Sequence, residues 1–83
     1  MKKVVIYSTR ICPYCVRAKN YFDKKNITYT EIMIDKDPSL ITEMVEKSGR
    51  QSVPQIFIDD YHVGGFDDLI EHDMDGKLED LLN

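Results

Sequence analysis

Lys3-Val4-Val5-Ile6-Tyr7, then Ser8-Thr9-Arg10-Ile11-Cys12, then Pro13-Tyr14-Cys15-Val16-Arg17-Ala18, is the stretch that decides the fold. β-Branched residues crowd its first segment, as a buried strand requires. Ser8–Cys12 is a turn, and Pro13 suits the first position of a helix, where its missing N–H costs little. From Cys15 the apolar positions Ala18 and Phe22 recur at helical spacing, so Cys15 is expected to face the core with them. Cys12 is not. Lys24-Lys25-Asn26 closes the helix, since cations and an asparagine suit its C-terminal end. A strand is thus handed to a helix, with one sulfur at the helix N-terminus and the other about one turn in.

Outward from that unit, Tyr29–Ile34 alternates as a second strand. Asp37-Pro38-Ser39 opens a second helix, whose Leu40, Ile41, Met44 and Val45 form an apolar stripe up to Ser48-Gly49. Pro54–Ile58 is a third strand, Asp59-Asp60 a hairpin turn, and Tyr61–Val63 a fourth strand that Gly64-Gly65 breaks. Asp67-Asp68 starts a short helix through about Glu71, and Leu78, Leu81 and Leu82 mark a last helical turn or two. The order β-α-β-α-β-β-α packs as an α/β fold, a four-stranded mixed sheet flanked by helices. Its first two strands are expected to be parallel through a right-handed crossover, and its last two an antiparallel hairpin. Tyr7 and Phe57 are expected in the core.

With 83 residues, 42% of them hydrophobic, residues 1–83 are expected to form a single domain around one core. The two cysteines are too close together to restrain the unfolded chain much, so packing must hold the fold and the thiols are left for chemistry. A net charge of −4 with no basic run gives no support to a nucleic-acid partner. Arg10, Arg17, Lys19, Lys47 and Arg50 can nonetheless form a positive site on an acidic body. Met1-Lys2-Lys3 followed by apolar residues has the start of a leader peptide, but the apolar run stops at Tyr7, short of the roughly 7–15 residues required. With no membrane-length stretch, a cytoplasmic, reducing location and a monomer are expected, and there a Cys-x-x-Cys pair is catalytic or metal-binding rather than structural.

Thiol exchange runs through the thiolate, and a free cysteine is half ionised only near pH ~8.5. Unpaired N–H groups and roughly half a positive charge at a helix N-terminus favour the anion. Cys12 is therefore the candidate nucleophile, and the less exposed Cys15 the candidate resolving thiol. Two alternatives stand beside this one. The cysteines can be inert, or they can be half of a zinc site, which would have to draw on His62 and His72 at a separation unlike usual pairings.

Cys12-Pro13-Tyr14-Cys15, Ser52-Val53-Pro54-Gln55 and Gly64-Gly65-Phe66-Asp67-Asp68, in that order and spacing, resemble the three signatures of a dithiol glutaredoxin of the bacterial Cys-Pro-Tyr-Cys class. The resemblance runs from the first strand to the last helix and implies the thioredoxin fold. It implies a glutathione-dependent thiol–disulfide oxidoreductase that reduces protein disulfides and protein–glutathione mixed disulfides. Glutathione is then a co-substrate, no metal is needed, and the partners are disulfide-bonded or glutathionylated proteins, with ribonucleotide reductase among the family's substrates. At Val53-Pro54 the family carries a cis peptide bond, although few X–Pro bonds are cis. Such a bond would turn the Val53 N–H and C=O toward an extended peptide such as glutathione's cysteinyl unit.

Gly65, Phe66 and Asp67 match the positions that hold the γ-glutamyl end, with Asp68 as a further candidate. Without the resemblance the same segment reads as a glycine turn with helix-capping aspartates. Tyr14 would line the groove. Thr9 stands where many relatives place a lysine for the glycyl carboxylate, so that role falls to Arg50, assisted by Arg10 or Lys47. Phe66 is a second departure, because a small residue or cysteine is usual there.

Three rivals are weighed against this reading. A thioredoxin would have a Trp-Cys-Gly-Pro-Cys segment, and this chain has no tryptophan. An iron–sulfur carrier would hold its cluster through Cys12, and Pro13 disfavours it. A redox-inactive binding module would not need the intact thiol pair.

Overall fold

The computed structural model describes residues 2–83; Met1, the first residue of the segment read above for a leader, lies outside them. Strands β1 (Val4–Ser8) and β2 (Tyr29–Met33) are each followed by a helix, α1 (Pro13–Lys24) and α2 (Pro38–Ser48), and the hairpin β3 (Gln55–Ile58) and β4 (Tyr61–Gly64) is followed by α3 (Phe66–Met74) and α4 (Lys77–Leu82). They form one sheet in the order β2-β1-β3-β4. β1 and β2 run parallel, while β1–β3 and β3–β4 are antiparallel, which is the mixed sheet expected. Among the described residues no helix is long and apolar enough to cross a membrane.

Alternation along β1 separates two cores. Val4 and Ile6 join Ala18, Phe22, Ile56, Ile58, Val63, Leu69 and Leu78 on the face that α1, α3 and α4 cover. Tyr7, with Phe57, Ile34 and Met44, occupies the face that α2 covers. Tyr7 and Phe57 meet edge to face at 5.8 Å. The Tyr7 hydroxyl donates to Glu43 at 2.6 Å, which satisfies a polar atom that burial would otherwise leave costly.

The element ends follow local chemistry. Asp37 accepts from the Ser39 N–H at 2.9 Å and caps α2, and Gly49 closes that helix at φ 73°. Asn26 takes φ 58° just beyond α1, and Asp59 takes φ 50° in the hairpin. Three expectations need correction. β2 stops at Met33, because Ile34–Lys36 coils into a 3₁₀ turn that drops Ile34 into the core. Ile41 lies outside the stripe, 42% exposed, because Leu40, Met44 and Val45 already fill the arc that faces the sheet. α3 runs on to Met74, since Leu69 is buried against the sheet and the next turns extend that packing.

Candidate functional site

Cys12 is the N-cap of α1, in an extended conformation (φ −155°, ψ 100°), and its sulfur accepts from the Cys15 N–H at 3.1 Å. Cys15 is wholly buried with Ala18 and Phe22, whereas Cys12 is only half-buried, as the helical spacing requires. The two are joined by a disulfide, with Cα atoms 5.2 Å apart. No acidic residue sits in the first turn of α1 to oppose an anion there. A backbone donor and the positive end of the helix dipole are thus aimed at the Cys12 sulfur, while the Cys15 sulfur is enclosed in the core.

The Val53–Pro54 peptide bond is cis, and the Cys12 sulfur lies 3.9 Å from the Val53 carbonyl oxygen. A groove of about 310 Å³ adjoins this point. Tyr14 of α1 forms one wall, Arg50, Ser52, Val53 and Pro54 of the α2–β3 loop a second, and Gly65, Phe66, Asp67 and Asp68 at the start of α3 a third. Tyr14, Arg50, Val53, Pro54, Gly65, Phe66, Asp67 and Asp68, all named from the sequence, are therefore brought to one place. Arg10 and Lys47 do not line it; Lys47 borders a separate cavity with Tyr7 and Glu43. The Tyr14 and Phe66 rings face each other across the groove mouth at 6.1 Å.

Asp68 ties this site together. Its Oδ2 accepts from the Gly65 N–H at 2.9 Å and from Arg50 Nη1 at 2.9 Å. Those contacts, the backbone one first, hold its carboxyl below the usual carboxylate range. The helix cap and the groove's cation thus share one carboxylate, and Asp67 is left exposed beside them. Gly64, at φ 116°, packs so tightly here that a Cβ would overlap the Asp68 carboxylate and come within 2.9 Å of the Asp68 Cβ.

A polar network behind the groove was not anticipated. Gln55, wholly buried, donates from Nε2 to the Ser52 carbonyl (3.0 Å) and hydroxyl (3.2 Å). Its Oε1 pairs with His62 Nε2 at 2.7 Å, which assigns that nitrogen as the donor. The amide thereby clamps the turn that leads into Val53–Pro54. A glutamine opening the otherwise apolar strand Gln55-Ile56-Phe57-Ile58 was the available signal. Gln55→Leu is expected to cost about 1–2 kcal/mol, because it removes three hydrogen bonds whose partners, the half-buried His62 and the exposed Ser52, are left to water only in part; an unchanged urea midpoint would show that the network carries little.

Both histidines are bonded to groups other than the thiols. His62 lies on Gln55 and stacks on Phe57 at 4.8 Å, while His72 meets the Tyr61 hydroxyl at 2.9 Å and the Asp68 carbonyl at 2.7 Å. A larger cavity than the groove, about 620 Å³, lies at the far end of α1, between Lys25, Leu78 and Leu82, and neither cysteine lines it.

A family model for glutaredoxin matches residues 4–63, which span both cysteines and the cis-proline. The chain belongs to the glutaredoxin family. A glutaredoxin of Pseudomonas aeruginosa is 47% identical over 83 residues, covering 100% of this chain and 99% of that one. Glutaredoxin 3 of Escherichia coli is 46% identical over 82 residues, with 99% of each chain covered. Among solved structures, the glutaredoxin of Brucella melitensis superposes with a TM-score of 0.86 at 48% identity, over 99% of this chain and 89% of that one. A buckwheat glutaredoxin–glutathione complex gives a TM-score of 0.89 at 32% identity, over 98% of this chain and 76% of that one. The fold is accordingly the thioredoxin fold, and the activity is that of a glutathione-dependent disulfide oxidoreductase.

Proposed function

We propose that Cys12 is the nucleophile, Cys15 the resolving thiol, and the adjoining groove the seat of glutathione. The observation that carries this is the Cys12 sulfur at the N-terminus of α1, 3.9 Å from the Val53 carbonyl and beside the groove. The Cys12 thiolate attacks the glutathione sulfur of a protein–glutathione mixed disulfide. The protein sulfur leaves as a thiolate and takes a proton, and Cys12 is left bonded to glutathione. A second glutathione thiolate attacks that adduct, releasing glutathione disulfide and restoring Cys12. With a protein disulfide, Cys12 bonds to the target and Cys15 displaces it, so the internal disulfide forms and two glutathiones reduce it again.

In this reading the Val53 backbone pairs with the cysteinyl unit of glutathione, beside Pro54 and Tyr14. The backbone of Gly65 and Phe66, with the Asp67 carboxylate, takes the γ-glutamyl end, where helix N–H groups suit its carboxylate and Asp67 its ammonium. Arg50 takes the glycyl carboxylate. It already sits on the groove wall, held there by Asp68. The protein partners are disulfide-bonded or glutathionylated proteins, met by a monomer in a cytoplasmic compartment whose glutathione pool keeps the cycle turning.

Arg50→Glu tests the clamp. Losing one charged hydrogen bond and adding a repulsive carboxylate is expected to raise the glutathione KM about 5–20-fold with kcat little changed. An unaltered KM removes Arg50 from the site.

A further inference from the structure

Three large apolar side chains stand in solvent around the sulfurs: Ile11, 87% exposed, Tyr14, 53%, and Val16, 48%. The other exposed large apolar residues, Ile41, Tyr61 and Met74, are scattered over α2, β4 and α3. Lone exposed side chains are ordinary, but a cluster rimmed by polar groups marks a contact surface. This cluster occupies both sides of Cys12 within one short stretch of chain. It is also continuous with the groove, because Tyr14 belongs to both and faces Phe66 at 6.1 Å.

The charge beside the cluster has one sign where it matters. The Arg17 guanidinium lies 5.1 Å above the Tyr14 ring. Among the described residues, Lys19, Lys25 and Arg50 each have a carboxylate partner, while Arg17 has none within ion-pair distance. The first turn of α1 adds no acid. Arg10 is less free, since its backbone N–H is bonded by Asp35 at 3.0 Å, which places a carboxylate on that border. On a chain of net charge −4, Arg17 is thus an unneutralised cation held on an aromatic ring at the edge of an apolar patch.

We propose that Ile11, Tyr14, Val16 and Arg17 form the docking surface for the protein half of the mixed disulfide. It selects substrates that carry an apolar side chain beside the reactive cysteine and a carboxylate a few residues away. This rests on the reading in which Cys12 attacks the glutathione sulfur. The substrate segment lies on the patch, opposite the glutathione groove, and its cysteine sulfur leaves from Cys12's neighbourhood as the thiol. Apolar contact with Ile11 and Val16 holds the segment, and Arg17 pairs with its carboxylate at a point where the Tyr14 ring restrains the guanidinium.

The test uses glutathionylated peptides of equal length, one with Leu beside the cysteine and Glu nearby, one with Ser and Glu, and one with Leu and Lys. The baseline is the small mixed disulfide of glutathione and 2-mercaptoethanol. For the wild type, kcat/KM for the Leu/Glu peptide is expected to exceed each of the others by about 3–10-fold, the scale of one small apolar contact or one restrained ion pair. Ile11→Ser combined with Val16→Ser abolishes the Leu-over-Ser preference, and Arg17→Gln abolishes the Glu-over-Lys preference. Both variants keep the small-disulfide rate. Equal kcat/KM for the three peptides, with the small disulfide still turned over, overturns the proposal. A wild type that turns over no small disulfide overturns the reading of the site and the docking surface with it. Wild-type dimerisation that Ile11→Ser removes, without change in the peptide rates, assigns the patch to a second copy and also overturns the proposal.

Discussion

Cys15→Ser is expected to keep the reduction of glutathionylated substrates within about twofold while protein-disulfide reduction falls about 100-fold or more. The first reaction needs only the Cys12 sulfur and free glutathione. The second needs a thiol already in place to displace the bound target, and an intramolecular group acts at an effective concentration that millimolar glutathione does not approach. Cys15 is suited to that task because its backbone N–H caps the Cys12 sulfur at 3.1 Å and its side chain is fixed in the core against Ala18 and Phe22. Serine is smaller and polar, so burying its hydroxyl there costs about 1–3 kcal/mol, which a thermal melt will register separately. Parallel assays with a glutathionylated peptide and a disulfide-bonded protein decide the matter. Loss of both activities together, in a variant that still melts cooperatively, would falsify the division of labour between the two sulfurs.

Gly64→Ala is expected to be the most damaging single change outside the thiols. Its φ of 116° is a conformation that a side chain resists, and the added Cβ overlaps the carboxylate that caps α3 and holds Arg50. A strain of roughly 2–4 kcal/mol follows, from the backbone and the lost cap combined. The glutathione KM should rise as well, since Arg50 loses its anchor. The pH dependence gives a second signature. Asp68 is held below its unfolded pKa, so its contribution is complete above the unfolded value and is lost as pH falls through the folded one. The wild type therefore loses stability on acidification in that window, and Gly64→Ala, with the cap displaced, should show a flatter slope. Chemical denaturation at several pH values measures both effects; a variant with wild-type midpoint and slope would show that Asp68 moves aside at no cost.

Much of this was legible from residue chemistry. The period change at Val4–Tyr7 and Cys15–Phe22 sufficed for β1, α1 and the unequal burial of the two sulfurs. Asp59-Asp60 marked the hairpin, whereas the groove residues came from the resemblance to the family's signatures, since Gly64–Asp68 alone reads as a glycine turn with capping aspartates. What escaped depended on contacts between distant segments. Ile41 satisfied the helical period yet faces solvent, because a stripe shows which residues share an arc but not how wide the sheet's cover must be. Asp68 could be read as a cap or as a ligand group, but its bond to Arg50 crosses 18 positions of sequence and has no local signal. The Gln55–His62–Ser52 network escaped for the same reason, although a glutamine at the head of an apolar strand hinted at it.

The groove's walls come from opposite ends of the chain. Tyr14 and the sulfurs belong to the β1-α1-β2 unit, and Gly65–Asp68 to the β3-β4-α3 unit, with β1 and β3 pairing between them. A glutathione molecule lying across the groove would be a removable stitch over that seam. Occupancy by glutathione would then suppress the partial openings in which the C-terminal hairpin and α3 peel away while the N-terminal unit stays folded. The concentration of a small metabolite would thereby set how often the backbone of β4 and α3 meets water, and how exposed the protein is to proteolysis between turnovers.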